Sequence, residues 1–218
     1  RVVVEIEPLA AVSDLASAVA PGAPAVWPDA PDNIALTWHS GDPAALDAAF
    51  ARAAHITRLR LVNNRVLANP IEPRASVASY DAATGRYSLQ AASQGVQFFL
   101  RVLCEHTFNV PREAMHVRTY DVGGAFGVKE QPYPEDVAIL AAARALGRPV
   151  KWSGTRSEHF LSDNHARDAV IDCALALDAE ANFLAIRATL LDGVGAYCSC
   201  HAAHISIRNT TNGLPLVY

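Results

Sequence analysis

The stretch Asp121-Val122-Gly123-Gly124-Ala125-Phe126-Gly127-Val128-Lys129-Glu130 carries the sharpest local signal in the chain. It lies between a segment that alternates like a strand, Met115 to Tyr120, and one with the apolar spacing of a helix, Pro134 to Leu146. Glycines at 123, 124 and 127 allow positive φ and let backbone N–H groups approach a ligand with no Cβ in the way. Phe126 is the odd residue among them. Such a ring either packs against a flat ligand or anchors a tight turn in the core, and the pattern leaves both readings open. Two phosphate loops are excluded by spacing. A Walker loop needs Gly-Lys followed by Ser or Thr, whereas Val128 separates Gly127 from Lys129 and Glu130 follows; the dinucleotide fingerprint G-x-G-x-x-G is not met.

Outward from this loop, the helix beginning near Pro134 is expected to end at Gly147, with Pro149 barring continuation. Upstream, Gln94 to Phe108 has apolar residues at Val96, Phe99, Leu100 and Leu103 and a stop at Pro111, which predicts a helix packing one side on a sheet. Gln94-Gly95 opens it. The amide both donates and accepts and Gly95 leaves room for approach, but for the dipeptide alone an ordinary polar helix start is the favoured reading. Ser76 to Tyr80 and Arg86 to Ala91 read as a hairpin turning at 81–85. Further strands are expected at Arg1 to Glu7, Ile56 to Val66, Val150 to Thr155, Ala169 to Asp178 and Phe183 to Asp192, the last two joined by the polar turn 178–182. Asp42-Pro43 predicts a capped helix running to Ala53. Four prolines between Ala20 and Pro31 mark a connector. Helices and strands are interspersed without a regular βαβ beat, so the expected class is α+β (mixed α/β).

The chain has 218 residues, 51% of them apolar, and 18 Lys+Arg against 22 Asp+Glu give a net charge of −4. That composition supports a real core and excludes disorder. A mildly acidic, unpatterned surface argues against a nucleic-acid binder, and no apolar run reaches the roughly 18 residues of a membrane span. Four cysteines do not make a disulfide framework, which favours a reduced, cytoplasmic chain. Cys198, Cys200, His201 and His204 crowd four soft ligands into seven residues. Zinc sites bring ligand pairs together from separated segments, so a loop is the better reading and no metal site is assigned to side chains. Asn69-Pro-Ile-Glu72-Pro73 reads as a rigid, exposed turn with no assigned chemistry, and Arg156, Glu158, His165, Arg167 and Asp168 read as solvated faces and ion pairs.

Taken in order, Val4-Glu-Ile-Glu-Pro-Leu9, Gly41-Asp42, Pro70-Ile-Glu-Pro73, Gln94-Gly95, Gly123 to Lys129, Gly147-Arg-Pro-Val-Lys-Trp152, Arg156 with Glu158 and His165 with Arg167 resemble one family. It is the molybdenum-cofactor-binding large subunit of the xanthine dehydrogenase / aldehyde oxidase family, especially its carbon monoxide dehydrogenase-type branch. The resemblance implies that residues 1–10 end a preceding hammerhead-type domain, 11–31 connect, and 32–218 form the first part of the molybdopterin-binding domain. It further implies hydroxylation of a carbon centre, or oxidation of carbon monoxide, at a molybdenum held by a pterin cofactor, expected in its cytosine dinucleotide form. Oxygen would come from water, and electrons would leave through an iron–sulfur small subunit and an FAD-binding medium subunit.

By the same resemblance, Gln94 hydrogen-bonds an oxo ligand of the metal, and Gly95, Gly124, Ala125, Phe126 and Gly127 lie against the cofactor. Phe126 is on the substrate side, and Glu130 stands where some members place a substrate-orienting glutamate. Family large subunits are several times longer and carry their general-base glutamate beyond the position of Tyr218. The chain is therefore expected to be an internal fragment, inactive alone, whose partners are the rest of the large subunit, the two electron-transfer subunits and a small-molecule substrate. The rival expectation is a non-catalytic cofactor- or nucleotide-binding scaffold domain.

Overall fold

The structure, a computed structural model, describes residues 3–199 together with 202, 204, 205, 207 and 208. In chain order its elements begin with α1 (Leu15–Ala18), α2 (Pro43–Ala51), β1 (His55–Asn63), β2 (Val66–Leu67), β3 (Ala75–Asp81), β4 (Arg86–Ala91) and α3 (Val96–Arg101). A π-helical stretch, Val102–Phe108, continues α3. After a short 3₁₀ turn at Arg112–Ala114 come β5 (Met115–Arg118), α4 (Pro134–Leu146), β6 (Val150–Ser153), α5 (Arg156–Ser162), β7 (His165–Ala166), β8 (Ala169–Leu177) and β9 (Phe183–Asp192). The chain divides into two units: residues up to 65 with those from 167 onward, and residues 66–166.

In the first unit β1, β8 and β9 form an antiparallel sheet in that order. The β8–β9 turn closes because Asp178 Oδ1 accepts from the N–H groups of Glu180 and Asn182 at 3.0 and 2.8 Å, a short side chain substituting for the ladder at the bend. Asp42 caps α2 by accepting from the N–H groups of Ala44 and Ala45 at 2.9 and 3.1 Å, with Pro43 at the first helical position. Phe50 of α2 lies under the Arg187 guanidinium of β9, 4.6 Å from its ring centre.

The second unit is built on a mixed sheet of order β5-β4-β3-β6. Asp81 seeds the β3–β4 hairpin, accepting from Ala83 N–H at 2.9 Å and Thr84 Oγ1 at 2.8 Å. α3 with its π-helical continuation then carries the chain back so that β5 lies parallel to β4. Leu89, Leu103, Leu140 and Ala78 are wholly buried, with Phe99, Tyr87 and Met115 beside them. α4 starts where Tyr133 N–H donates to Asp136 Oδ2 at 3.0 Å and stops at Gly147, φ +62°, as its sequence predicts.

Four expectations are corrected. Of the strand expected at Arg1 to Glu7, Arg1 and Val2 lie outside the described residues, and Val3 to Glu7 form no strand and are exposed, since alternation produces a strand only where a neighbouring strand pairs with it. The expected strand Ile56 to Val66 ends at Asn63, and Val66 pairs instead with Ala166; the intervening Asn-Asn favours a break. The helix expected from Gln94 begins at Val96 and widens into π geometry, where Thr107 Oγ1 donates to Val102 O at 3.1 Å. α5 was legible only as polar residues, yet Thr155 and Glu158 form a reciprocal cap. Thr155 N–H donates to Glu158 Oε2 at 2.6 Å and Glu158 N–H to Thr155 Oγ1 at 3.3 Å.

A buried polar knot ties α5 to the sheet. Arg74 Nε donates to Asp163 Oδ1 at 2.8 Å, Arg74 Nη1 to Glu135 at 3.3 Å, and the guanidinium stacks 3.6 Å from the centre of the Tyr133 ring. His159 Nε2 accepts from the Arg74 backbone N–H at 3.0 Å, so its proton is on Nδ1, which lies 2.9 Å from Asp163 Oδ2. The side chains of Arg74 and Asp163 are 7% and 1% exposed. Arg74→Met should therefore strand a buried carboxylate and lower the unfolding free energy by about 3–5 kcal/mol in urea titration.

In the first unit, burial and the nearby Asp168 carboxylate push Asp192 up to about 6. Its folded value lies above its unfolded one, so its contribution to stability is complete below the unfolded value and lost as pH rises through the folded value. Asp192→Asn should flatten the decline in urea midpoint between about pH 4 and pH 6.

Candidate functional site

β4 and β5 run parallel with Tyr87 opposite Met115 and Gln90 opposite Arg118, so the segments leaving their carboxyl ends emerge on the same side of the sheet. Those segments are Ala92 to Gly95 and the glycine loop. In open sheets this end of a parallel pair is where ligands bind. The two motifs singled out in the sequence are thus delivered to one place by strand direction.

They touch. Gln94 Oε1 accepts from Gly127 N–H at 2.9 Å, and Gln94 N–H donates to Lys129 O at 3.1 Å. Because the loop offers a donor, the amide oxygen must face it, which leaves the NH₂ group of the exposed Gln94 as the outward end. Gly95 N–H donates to the buried Ser93 Oγ at 3.0 Å. The backbone carbonyl of the half-buried Glu130 lies beside Gly95.

The loop itself closes as a turn in which Val128 N–H donates to Ala125 O at 3.1 Å. Both central residues have positive φ, Phe126 at +53° and Gly127 at +95°, and Gly124 precedes them at +98°. A bulky residue with positive φ is strained, and such strain persists only where the surroundings impose it. Phe126 is 77% exposed, so its ring does not anchor the turn in the core. A Cβ at Gly127 would meet nothing within 4 Å. The turn therefore presents a bare backbone at Gly127 and a largely exposed ring, one edge of which lies against Gly124.

Glu72 lies beneath the turn, and the expectation of an exposed residue without chemistry is corrected. Its Oε2 accepts from Gly123 N–H at 2.8 Å and from Lys129 Nζ at 2.7 Å, while Glu72 N–H donates to Gly123 O at 3.1 Å. Lys129 is 1% exposed. Partial burial alone would raise the Glu72 carboxyl, but the hydrogen bonds from Lys129 and Gly123 and the Lys129 charge outweigh it and hold it below the usual carboxylate range. The approach is close enough that a Cβ on Gly123 would stand 2.6 Å from Glu72 Cβ. On the far side, Arg156 grips the same segment through Asn69 Oδ1 and, at 2.7 Å, Ile71 O. A cleft of about 250 Å³ opens beside these residues, its lining including Glu72, Gln90, Thr119, Tyr120, Asp121 and Lys151.

Gln94, Gly95, Gly124, Ala125, Phe126, Gly127 and Glu130 are thus neighbours along two adjoining segments. Cys198 and His204 are exposed, Cys200 and His201 lie outside the described residues, and no group of three metal-ligating side chains occurs among the described residues. No described helix is long and apolar enough to cross a membrane. Sequence reasoning missed Glu72, Lys129 and Arg156 as partners. The available signal was a lysine within an otherwise apolar, glycine-rich motif, which once buried demands a carboxylate.

The pattern of the molybdopterin cofactor-binding domain matches residues 26–218. The chain is 38% identical over 152 residues to the 6-hydroxypseudooxynicotine dehydrogenase complex subunit gamma of Paenarthrobacter nicotinovorans, covering 70% of this chain and 19% of that protein. It is 31% identical over 209 residues to the carbon monoxide dehydrogenase large chain of Hydrogenophaga pseudoflava, covering 90% and 26%. Among solved structures, reconstituted CO dehydrogenase from Oligotropha carboxidovorans superposes with a TM-score of 0.76 at 30% identity, over 84% of this chain and 24% of that one. The chain spans about a quarter or less of these proteins, and its mixed helix-and-sheet fold is the one they share.

Since Phe126 buries little and is strained, Phe126→Gly should raise the stability of the second unit by about 0.5–1 kcal/mol in urea unfolding. A ring held by unrecognised packing would instead give a loss.

Proposed function

Because the chain belongs to the molybdopterin cofactor-binding domain family of the xanthine dehydrogenase / aldehyde oxidase type, we propose that it forms part of the large subunit of a molybdenum hydroxylase. The observation that carries this reading is the hydrogen bond from Gly127 N–H to Gln94 Oε1, which joins an outward amide donor to a bare turn. The fit to a flat pterin rests on three features of this chain: open space over Gly127, an exposed Phe126 ring, and the outward NH₂ end of Gln94. When bound, the cofactor supplies two-electron redox chemistry and transfer of oxygen from water to a carbon centre.

The chain's own residues bind, orient and exclude. Gln94 presents its amide N–H groups toward the cofactor's polar edge, Gly127 admits it without a Cβ in the way, and Gly95, Gly124 and Ala125 line the same cradle. Phe126 shields that face from water and borders the substrate, which Glu130 helps orient. In this reading the cofactor is the cytosine dinucleotide form, and electrons pass to an iron–sulfur small subunit and an FAD-binding medium subunit in the cytoplasm. Residues 1–10 finish a hammerhead-type domain, 11–31 connect, and 32–218 open the cofactor-binding region. The general base comes from elsewhere in the large subunit, so the 218-residue chain alone has no turnover.

Gln94 is exposed, so Gln94→Ala should cost only about 1 kcal/mol of stability. In the assembled enzyme it should lower turnover per molybdenum about 10-fold or more. Metal analysis and steady-state rates separate the outcomes: unchanged turnover with lost stability would make Gln94 structural, and absence of molybdenum from the wild-type enzyme would leave the scaffold reading standing.

A further inference from the structure

The turn that carries Phe126 and Gly127 is strained and solvent-facing, so something outside it must hold its shape. Only two hydrogen bonds described above lie within reach of its tip, the internal one from Val128 to Ala125 and the one to Gln94. The rest of the restraint falls at its base. A single carboxylate oxygen, Glu72 Oε2, accepts from Gly123 N–H upstream of the turn and from Lys129 Nζ downstream of it. The backbone of Glu72 adds a bond to Gly123 O, and that of Gln94 adds one to Lys129 O.

We propose that Glu72 is a positioning residue that staples both ends of segment 123–129 through Lys129 and Gly123, and so sets the contact between Gly127 and Gln94. The proposal rests on the reading of Gln94 and the turn as the cofactor cradle for its functional consequence, but its mechanical part is a property of this chain. The staple is electrostatic as well as geometric. Lys129 is buried to 1% exposure, so its ammonium needs a charged partner, whereas Glu72 retains 36% side-chain exposure and tolerates loss of the lysine. The segment bearing Glu72 is in turn held by Arg156 through Asn69 and Ile71, which keeps the carboxylate from following the loop.

This asymmetry defines the test. In the ¹⁵N-labelled 218-residue chain, amide exchange at Gly127 reports the turn and exchange at Leu103 and Leu140 reports the core. Glu72→Gln should speed Gly127 exchange about tenfold, the change expected for loss of one net hydrogen bond, with less change at the core amides. Lys129→Met also severs the staple and should speed Gly127 exchange, by less than Glu72→Gln does because Glu72 still accepts from Gly123 N–H. Glu72→Gln with Lys129→Met should recover the global stability lost in Glu72→Gln, because no buried charge remains unpaired, while Gly127 exchange stays faster than in the wild type, because the staple is still absent. Gln94→Ala should abolish Gly127 protection in every background. The proposal is overturned if Glu72→Gln leaves Gly127 exchange unchanged, or if the double variant returns Gly127 exchange to the wild-type rate. Should Glu72→Gln fail to fold, a folded double variant whose Gly127 exchanges faster than in the wild type supports the staple, and a double variant with wild-type Gly127 exchange, or one that also fails to fold, overturns it. Molybdenum content of the assembled enzyme is read separately. A wild-type enzyme without molybdenum sinks the functional reading while leaving the staple intact, and a Glu72→Gln enzyme with normal molybdenum and normal turnover despite fast Gly127 exchange removes the staple's role in the cradle.

Discussion

Parallel pairing of β4 with β5 is the constraint from which the site follows. Two strands that point the same way need a long crossover, here α3 and its π-helical continuation, and the crossover brings their exits to one edge of the sheet. The exits carry Gln94 and the glycine turn, which lie 33 residues apart in sequence yet share a hydrogen bond. An antiparallel arrangement of the same strands would send the two segments to opposite ends. The core serves that pairing: Leu89, Phe99, Leu103 and Leu140 fill the space between the sheet and the helices on it, so the packing that stabilises the unit also fixes the direction of both loops.

Charge inside this unit is arranged as two separate knots with different consequences. Around Arg74 both partners are nearly sealed: Asp163, His159 and the Tyr133 ring complete the guanidinium's surroundings, and every member has a partner in the chain. Such a knot fixes how α5 packs and offers little to a ligand. Around Glu72 the burial is one-sided, with the ammonium sealed and the carboxylate at the surface. A carboxylate so placed can respond to what occupies the neighbouring cleft while the cation beneath keeps it ionised. Burial pushes Asp136 up, by contrast, and its role as the cap of α4 needs only its acceptor atoms.

Much of this was legible in the sequence because the relevant signals are local. Asp42-Pro43, Gly147 with Pro149, and the 81–85 turn each fix an element boundary through hydrogen bonds made within a few residues. The glycine loop and Gln94-Gly95 stood out as candidates for the same reason, since Cβ-free backbone and an amide are visible residue by residue. Their meeting was not, because it depends on strand direction, which no short window encodes. Glu72 was misjudged on the same ground: two flanking prolines describe the backbone of a turn and say nothing of a lysine 57 residues away. The stretch Val3 to Glu7 shows the opposite error, where a local alternation had no neighbouring strand to make it real.

The strain in Phe126 links these levels. A glycine at that position would satisfy the backbone more easily, as Gly127 and Gly124 do on either side, so local propensity and the observed residue disagree. Sequence and structure usually agree at every level except where a site demands otherwise. Here the disagreement falls on a ring exposed to solvent, above a turn whose two ends are fastened by a half-buried ion pair. The strained ring and the fastened turn therefore belong to one feature, and the cofactor cradle proposed above makes use of both.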